Sequence, residues 1–262
     1  MSFHERITSD NTAGRLIEVF TDILLINPYW SKVDDTANGM SANEAVFRCY
    51  DPSGVTEYFL VLRNNQAGYA DVELWEGWDS VTHAGVGASV VYISSTYQCR
   101  IWYNAGHKIQ LHDFCFAYLD AVNQNHYFIG RPQELFDETK NIVMILCRST
   151  HSSNMYNPMG YGYGTGTATA GKFLFDENGA QTFLSLSTMP CPETISGTIL
   201  LGKTIIRNDS TYKAVGCLHG NICCGASIPG VYRGQIRYDE NGNAWEAVGL
   251  STSTYNSYIM RA

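Results

Sequence analysis

Near the start of the chain, apolar residues recur with a helical period. Leu16, Phe20, Ile23 and Leu24 stand at i, i+4, i+7 and i+8, which predicts one amphipathic helix. Thr8, Ser9, Asp10 or Thr12 can cap it, and Asn27-Pro28 ends it, because the residue before proline is pushed out of the helical region. Beyond that point the pattern is that of strands. Positions 44–50 and 58–63 flank Asp51-Pro52-Ser53-Gly54, which has turn chemistry. Positions 70–78 alternate, with Val72, Leu74 and Glu76 on one face and Glu73 and Trp75 on the other. Further strands are expected over 90–94, 100–103, 108–114, 116–121 and 141–148, the last fully buried, with a turn at Asn104-Ala105-Gly106.

The stretch 157–171 breaks the pattern. Asn-Pro-Met-Gly-Tyr-Gly-Tyr-Gly-Thr-Gly-Thr-Ala-Thr-Ala-Gly has too few large apolar side chains to build a core, so it reads as a long Gly/Tyr-rich loop or arm. The expected division is a helix plus β domain over 1–155, the arm over 156–171, and a second β segment over 172–262, either separate or packed on the first. That second segment carries two matching patterns. Lys172 to Gly179 precedes a strand over 182–186, and Gln235 to Gly242 precedes one over 245–248; both share Asp-Glu-Asn-Gly, and each reads as a hairpin. The expected fold class is mainly β, an antiparallel sandwich or barrel-like arrangement with one N-terminal amphipathic helix.

Composition narrows this picture. Only 16% of the 262 residues are charged, which argues against long disordered regions and coiled coils. The 24 glycines follow no collagen period. A net charge of -8 with scattered Lys and Arg offers no basic face, so direct nucleic-acid binding is not expected. Met1 to Arg6 leads into Ile7, Thr8, Ser9 and Asp10 rather than an apolar run, and Ile23 to Ile26 and Ile142 to Cys147 are too short to cross a membrane. The expected partners therefore include no membrane. Eight cysteines, several inside apolar segments, read mostly as small buried hydrophobes.

The candidate chemistry is sparse. Gly166 to Lys172 fits G-x-x-x-x-G-K, but Phe173 replaces the Ser or Thr that would hold Mg²⁺, and a strand follows where a helix is required. Asp239-Glu240-Asn241-Gly242-Asn243 with Glu246 lacks calcium-loop spacing and reads as a turn. Cys217, His219, Cys223 and Cys224 form the densest set of soft ligands, a weak metal candidate without paired clips. Glu73 with Glu76, or Cys217 with His219, are the candidates if the chain is a hydrolase. No catalytic motif is present, so the expectation is a non-enzyme with no cofactor.

Residues 58–88, YFLVLRNNQAGYADVELWEGWDSVTHAGVGA, place an apolar strand before an aromatic one ending in Trp78-Asp79, then Thr82-His83-Ala84-Gly85. With the early helix ending near Tyr29-Trp30 and the Tyr/Gly-rich stretch from Tyr161, this resembles virion proteins of tailed bacteriophages, of the kind found in neck, tail and baseplate. The resemblance covers mainly residues 10–165. It implies a structural part of a particle, assembled in the host cytoplasm, whose partners are other virion proteins and copies of itself. Low charge and abundant Tyr, Trp and Met suit buried interfaces. The expected contact residues are Trp78, Asp79, Thr82, His83, Tyr161, Tyr163, Tyr255 and Tyr258. The alternative is a carbohydrate- or receptor-binding module of the tail, with a cell-surface glycan stacked on exposed residues among Trp75, Trp78, Trp102 and Trp245; a wall-degrading hydrolase comes third.

Overall fold

The computed structural model describes residues 4–8, 13–41, 43–52, 57–66, 69–90, 92–94, 97–98, 100–102, 107–120, 126–131, 133–135, 143–148, 171–173, 184–188, 194–195, 198–199, 204–208, 214–217, 222–225, 235–239, 241–247 and 257–261. Among them the fold is mainly β, with one α-helix and antiparallel pairing throughout except between Thr198–Ile199 and Ile236–Asp239.

The chain begins with β1 (His4–Thr8) and α1 (Ala13–Leu24), followed by β2 (Trp30–Asp35), β3 (Glu44–Tyr50), β4 (Glu57–Gln66), β5 (Tyr69–Asp79) and β6 (Ala84–Val90). β2 to β6 form one sheet in that order, with Arg100–Trp102 paired to the start of β5. β1 opens a second sheet, continued by His107–Leu111, Cys115–Asp120, His126–Gly130, Met144–Arg148 and Gly171–Phe173. Helix α1 and both sheets share one core. It contains Val19, Phe20, Ile23 and Leu24 of the helix, Phe47, Tyr58, Leu60, Leu62, Val72 and Leu74 of the first sheet, and Ile109, Leu111, Phe116 and Ile129 of the second. Each such side chain contributes roughly 1.5–3 kcal/mol by leaving water.

Of the expected helix face, Phe20, Ile23 and Leu24 are buried, with Val19 beside them, and α1 stops at Leu24, before Asn27-Pro28. Its last turn tightens through Ile26 N to Ile23 O and Asn27 N to Leu24 O. Buried Asn27 then accepts from Tyr29 N and donates to Asp113, so the turn into β2 is fixed by a side chain as well as by proline.

β3 coincides with the expected strand, and β4 and β5 extend theirs slightly. The strand expected over 90–94 is divided between the end of β6 and Tyr92–Ser94. Of the hairpin expected over 172–186, the described parts are placed in two sheets: Gly171–Phe173 pairs with Met144–Leu146, whereas Leu184–Thr188 pairs with Thr204–Asn208. The turn between them lies outside the described residues. Glu134–Leu135 likewise joins Ala214–Cys217, so strands are exchanged across the Gly/Tyr-rich stretch. Apart from Gly171, that stretch lies outside the described residues.

The hairpin at 235–247 forms as expected. Asp239 and Asn243 close it, Gly242 takes φ +78°, and its N–H bonds Asp239 O. The Asp239 carboxylate accepts from the backbone N–H of Asn241 and Asn243, the Asn243 amide and Trp245 Nε1. Burial acts to raise its pKa, but these donors outweigh burial and hold it below the ordinary aspartate range. A depressed folded value means that the ionised form stabilises the hairpin. That contribution is complete above about pH 4, the ordinary aspartate value, and is lost as pH falls through the lower folded value. Trp245 indole N–H protection, followed by NMR down to acid pH, should collapse there, and Asp239→Asn should abolish the transition.

Candidate functional site

The face of the β2–β6 sheet that points away from the main core carries a second, smaller cluster. Met40, Val46 and Val61 are buried in it, and Val33, Phe59, Trp75 and Trp78 pack against them. Spacing three places Trp75 and Trp78 on opposite faces of a regular strand. Both nevertheless pack against this cluster, beside a bulge in which β6 carries the extra residue, with Gly87 and Ala88 standing opposite Glu76 alone. Past this bulge the β5–β6 hairpin returns over the sheet as far as β2, at its opposite edge.

Contact with β2 is made at Asp34, whose side chain is fully buried. A second bulge, between Lys32 and Asp34, sets Asp34 opposite Val46 on the outer face. Its Oδ2 accepts from Trp78 Nε1 at 2.8 Å and lies 2.9 Å from His83 Nδ1, while Oδ1 accepts from Asp35 N. His83 takes φ +52°, uncommon for a side-chain-bearing residue. Its Nε2 lies over Gly39, where an added Cβ would be 3.4 Å away. Gly39 ends the 3₁₀ turn Thr36–Asn38 at φ +100°, with Asp35 capping the start.

Beside this knot runs an ion-pair ladder. Arg63 bridges Glu44 and Glu73, each at 3.1 Å, and Glu73 also accepts from Trp75 Nε1 at 2.8 Å. The Arg63 guanidinium stands 5.8 Å from the Trp78 ring centre. The indole N–H groups of Trp75 and Trp78 are thus both bound to carboxylates, and the Trp75 ring lies directly on Gly85, where a Cβ would come within 1.9 Å. A side chain at position 85 would fill the space this ring occupies.

The hairpin tip is braced from its other end by Asp79. Oδ1 accepts from Val81 N at 2.8 Å and from Thr82 N at 3.3 Å, and the Val81 N–H in particular holds the carboxyl below its usual range. Between Asp79 and the His83 anchor, Val81 is 87% exposed.

Of the expected contact residues, the structure joins Trp78, Asp79, Thr82 and His83 in this one hairpin. Tyr258 lies in the strand Ser257–Arg261, opposite Cys224. Tyr161, Tyr163 and Tyr255 fall outside the described residues. Of the four tryptophans, Trp75 and Trp78 share the outer face half-buried, and Trp245 is buried.

Glu73 and Glu76 are not brought to bear on a common point. Glu73 is committed to Arg63 and Trp75, whereas Glu76 sits exposed at the bulge with its carboxylate beside Gly87. Cys217 is buried, Cys223 and Cys224 are consecutive in one strand, and His219 falls outside the described residues. Cys49 and Cys115 are buried thiols outside any disulfide, and burial pushes both well above their usual pKa, which makes them inert. Among the described residues no group of three or more His, Cys, Asp or Glu is placed to hold a metal, and no helix is long and apolar enough to cross a membrane.

Asp34, the residue on which the hairpin depends, is missing from the sequence-derived set. The local signal is a strand ending in Asp34-Asp35 before Thr-Ala-Asn-Gly. It reveals the cap at Asp35, but not the partners of Asp34, which lie more than forty residues further on. No protein-family model matches the chain, and neither a curated protein nor a solved structure shows significant similarity to it.

Proposed function

We propose that the chain is a structural subunit of a particle, acting through contacts with copies of itself and with other particle proteins rather than as an enzyme. The observation that carries this reading is the turn between Asp79 and Ala84. It presents an almost fully exposed valine from a backbone held by Asp79 on one side and by His83 on Asp34 on the other. A contact residue on a preformed turn loses little conformational freedom on binding, so its burial converts efficiently into affinity.

Tailed-phage neck, tail and baseplate proteins, which residues 58–88 resemble, work in this way, and the virion is the location that fits. The two sheets closed on one core, in a sandwich-like arrangement, supply a rigid support. The Gly/Tyr-rich stretch 156–171 is a second contact element in this reading. The glycan alternative draws on Trp75 and Trp78, but the indole N–H groups of both are already committed to carboxylates.

Val81→Glu tests the proposal, because the side chain is solvated in the isolated subunit and the fold does not depend on it. Sedimentation should show self-association, or co-assembly with particle proteins, weakened by about tenfold or more, the effect of a charge at an interface centre. Circular dichroism should be unchanged. Association that is unaffected by the charge, or a wild-type chain that stays monomeric and does not enter particles, would refute it.

A further inference from the structure

We infer that the β5–β6 hairpin is a strap, hinged at the bulge where Gly87 and Ala88 face Glu76 and latched on Asp34, that opens as a unit and uncovers the Met40–Val46–Val61 patch while the rest of the fold stays intact. This does not depend on the assembly reading.

Four observations converge on it. The hinge is built for movement of the backbone. The ladder slips its register between Trp75 and Gly77, Gly77 faces Val86 with no side chain of its own, and Gly87 on the returning strand takes φ +78°. Positions of this kind absorb large dihedral changes at little steric cost.

The latch is concentrated. Trp78 and His83, on either side of the hairpin tip, both reach the same Oδ2 of Asp34. Loss of this one acceptor releases both. In the closed state the carboxylate is fully buried, so it is tolerated only while those donors are present.

The closed state also holds strain. His83 holds a left-handed φ of +52°, uncommon for a residue with a side chain, while its ring reaches Asp34. Finally, the apolar surface that closure buries is small. Val46 and Val61 are fully covered and Met40 nearly so, but the cluster is separate from the main core. Regions that bury little and end in exposed turns open at lower free energy than the global transition.

The inner face of the sheet stays sealed against α1 and the second sheet during such an opening. The β3–β4 ladder, from Glu44 with Arg63 to Tyr50 with Glu57, does not need the strap to remain paired. Opening therefore alternates the outer face between a covered state and one that exposes Val46, Val61, Phe59 and Trp75 beside Arg63.

Native-state hydrogen exchange on the full chain, in increasing sub-denaturing urea, decides the matter. The Trp78 indole N–H should exchange through an opening at least tenfold more frequent than that of the β3–β4 amides, with a weak urea dependence, and the amides of residues 77–87 should follow it, because a two-stranded hairpin lifted off the sheet does not hold its own pairing. Asp34→Asn should raise exchange in 77–87 a further tenfold or so and leave β3–β4 protection unchanged. Trp78→Phe, which removes one of the two donors, should act in the same direction more weakly. The inference is overturned if residues 77–87 exchange in the wild-type chain only with the global transition. It is also overturned if Asp34→Asn accelerates exchange uniformly across both regions.

Discussion

Gly130→Ala should destabilise the fold by on the order of 3 kcal/mol, because overpacking against a fixed wall adds to a left-handed backbone strain. Gly130 takes φ +126°, and a Cβ there would stand 2.4 Å from the Phe114 carbonyl oxygen and 2.6 Å from the Cys115 Cα. Both obstacles are backbone. Nor can the carbonyl withdraw, since Phe114 O accepts from the Tyr58 hydroxyl at 2.9 Å and from Arg131 N at 3.0 Å. Retreat would break hydrogen bonds to a buried tyrosine and to the backbone just past Gly130. Gly242→Ala provides the control, because Gly242 has φ +78° but open space around its Cβ direction. It should cost about 1 kcal/mol, the backbone contribution alone. Urea midpoints of the two variants, measured against the wild type, separate the contributions. Equal shifts would show that the Phe114–Cys115 wall yields.

The strands most legible in the sequence are those whose alternation is enforced by a buried face. Ala45, Phe47 and Cys49 on β3, Leu60 and Leu62 on β4, and Val72 and Leu74 on β5 all point into the core. Period-2 burial leaves a mark that needs no knowledge of the partner strand. β6 leaves no such mark. Ala-Gly-Val-Gly-Ala-Ser-Val has no large side chain, and its place is set by what its glycines admit, the Trp75 ring at Gly85 above all. β1, with Ile7 as its one large apolar residue, is held by pairing to His107–Leu111 and was equally silent.

The candidate site shows the same division. Aromatic density and the Trp78 to Gly85 pattern drew attention to the hairpin. Its geometry depends on two bulges, and a bulge is a tertiary decision. One kinks β6 opposite Glu76 and the other delivers Asp34. A carboxylate in a sequence reads as surface, and only the arrival of the indole and imidazole makes this one an anchor. The partners of Gly171–Phe173 and Leu184–Thr188 are likewise distant strands that no local turn signal names.

Phe20→Ala should cost about 3–5 kcal/mol, the range for truncating a fully buried aromatic. Phe20 has no exposed surface and meets Phe116 edge-to-face at 5.2 Å between ring centres. Phe116 in turn packs against Trp30, which stands edge-on to Tyr58. The cavity would therefore open where α1, β2, β4 and the second sheet converge, and none of these can collapse into it without moving another. Leu25 and Ile26, exposed just beyond the helix end, predict no comparable loss. The size of the effect makes it a measure of independence within the fold. Phe20 belongs to the main core, whereas the strap covers a separate cluster on the other face of the sheet. Sites that share no partners lose stability additively. In the Phe20→Ala background the urea transition should fall by the full amount, while the exchange free energy of residues 77–87 keeps its wild-type value until the global transition drops to meet it. A strap whose opening becomes easier by the same amount as the whole would instead show that the two faces of the β2–β6 sheet form one cooperative unit.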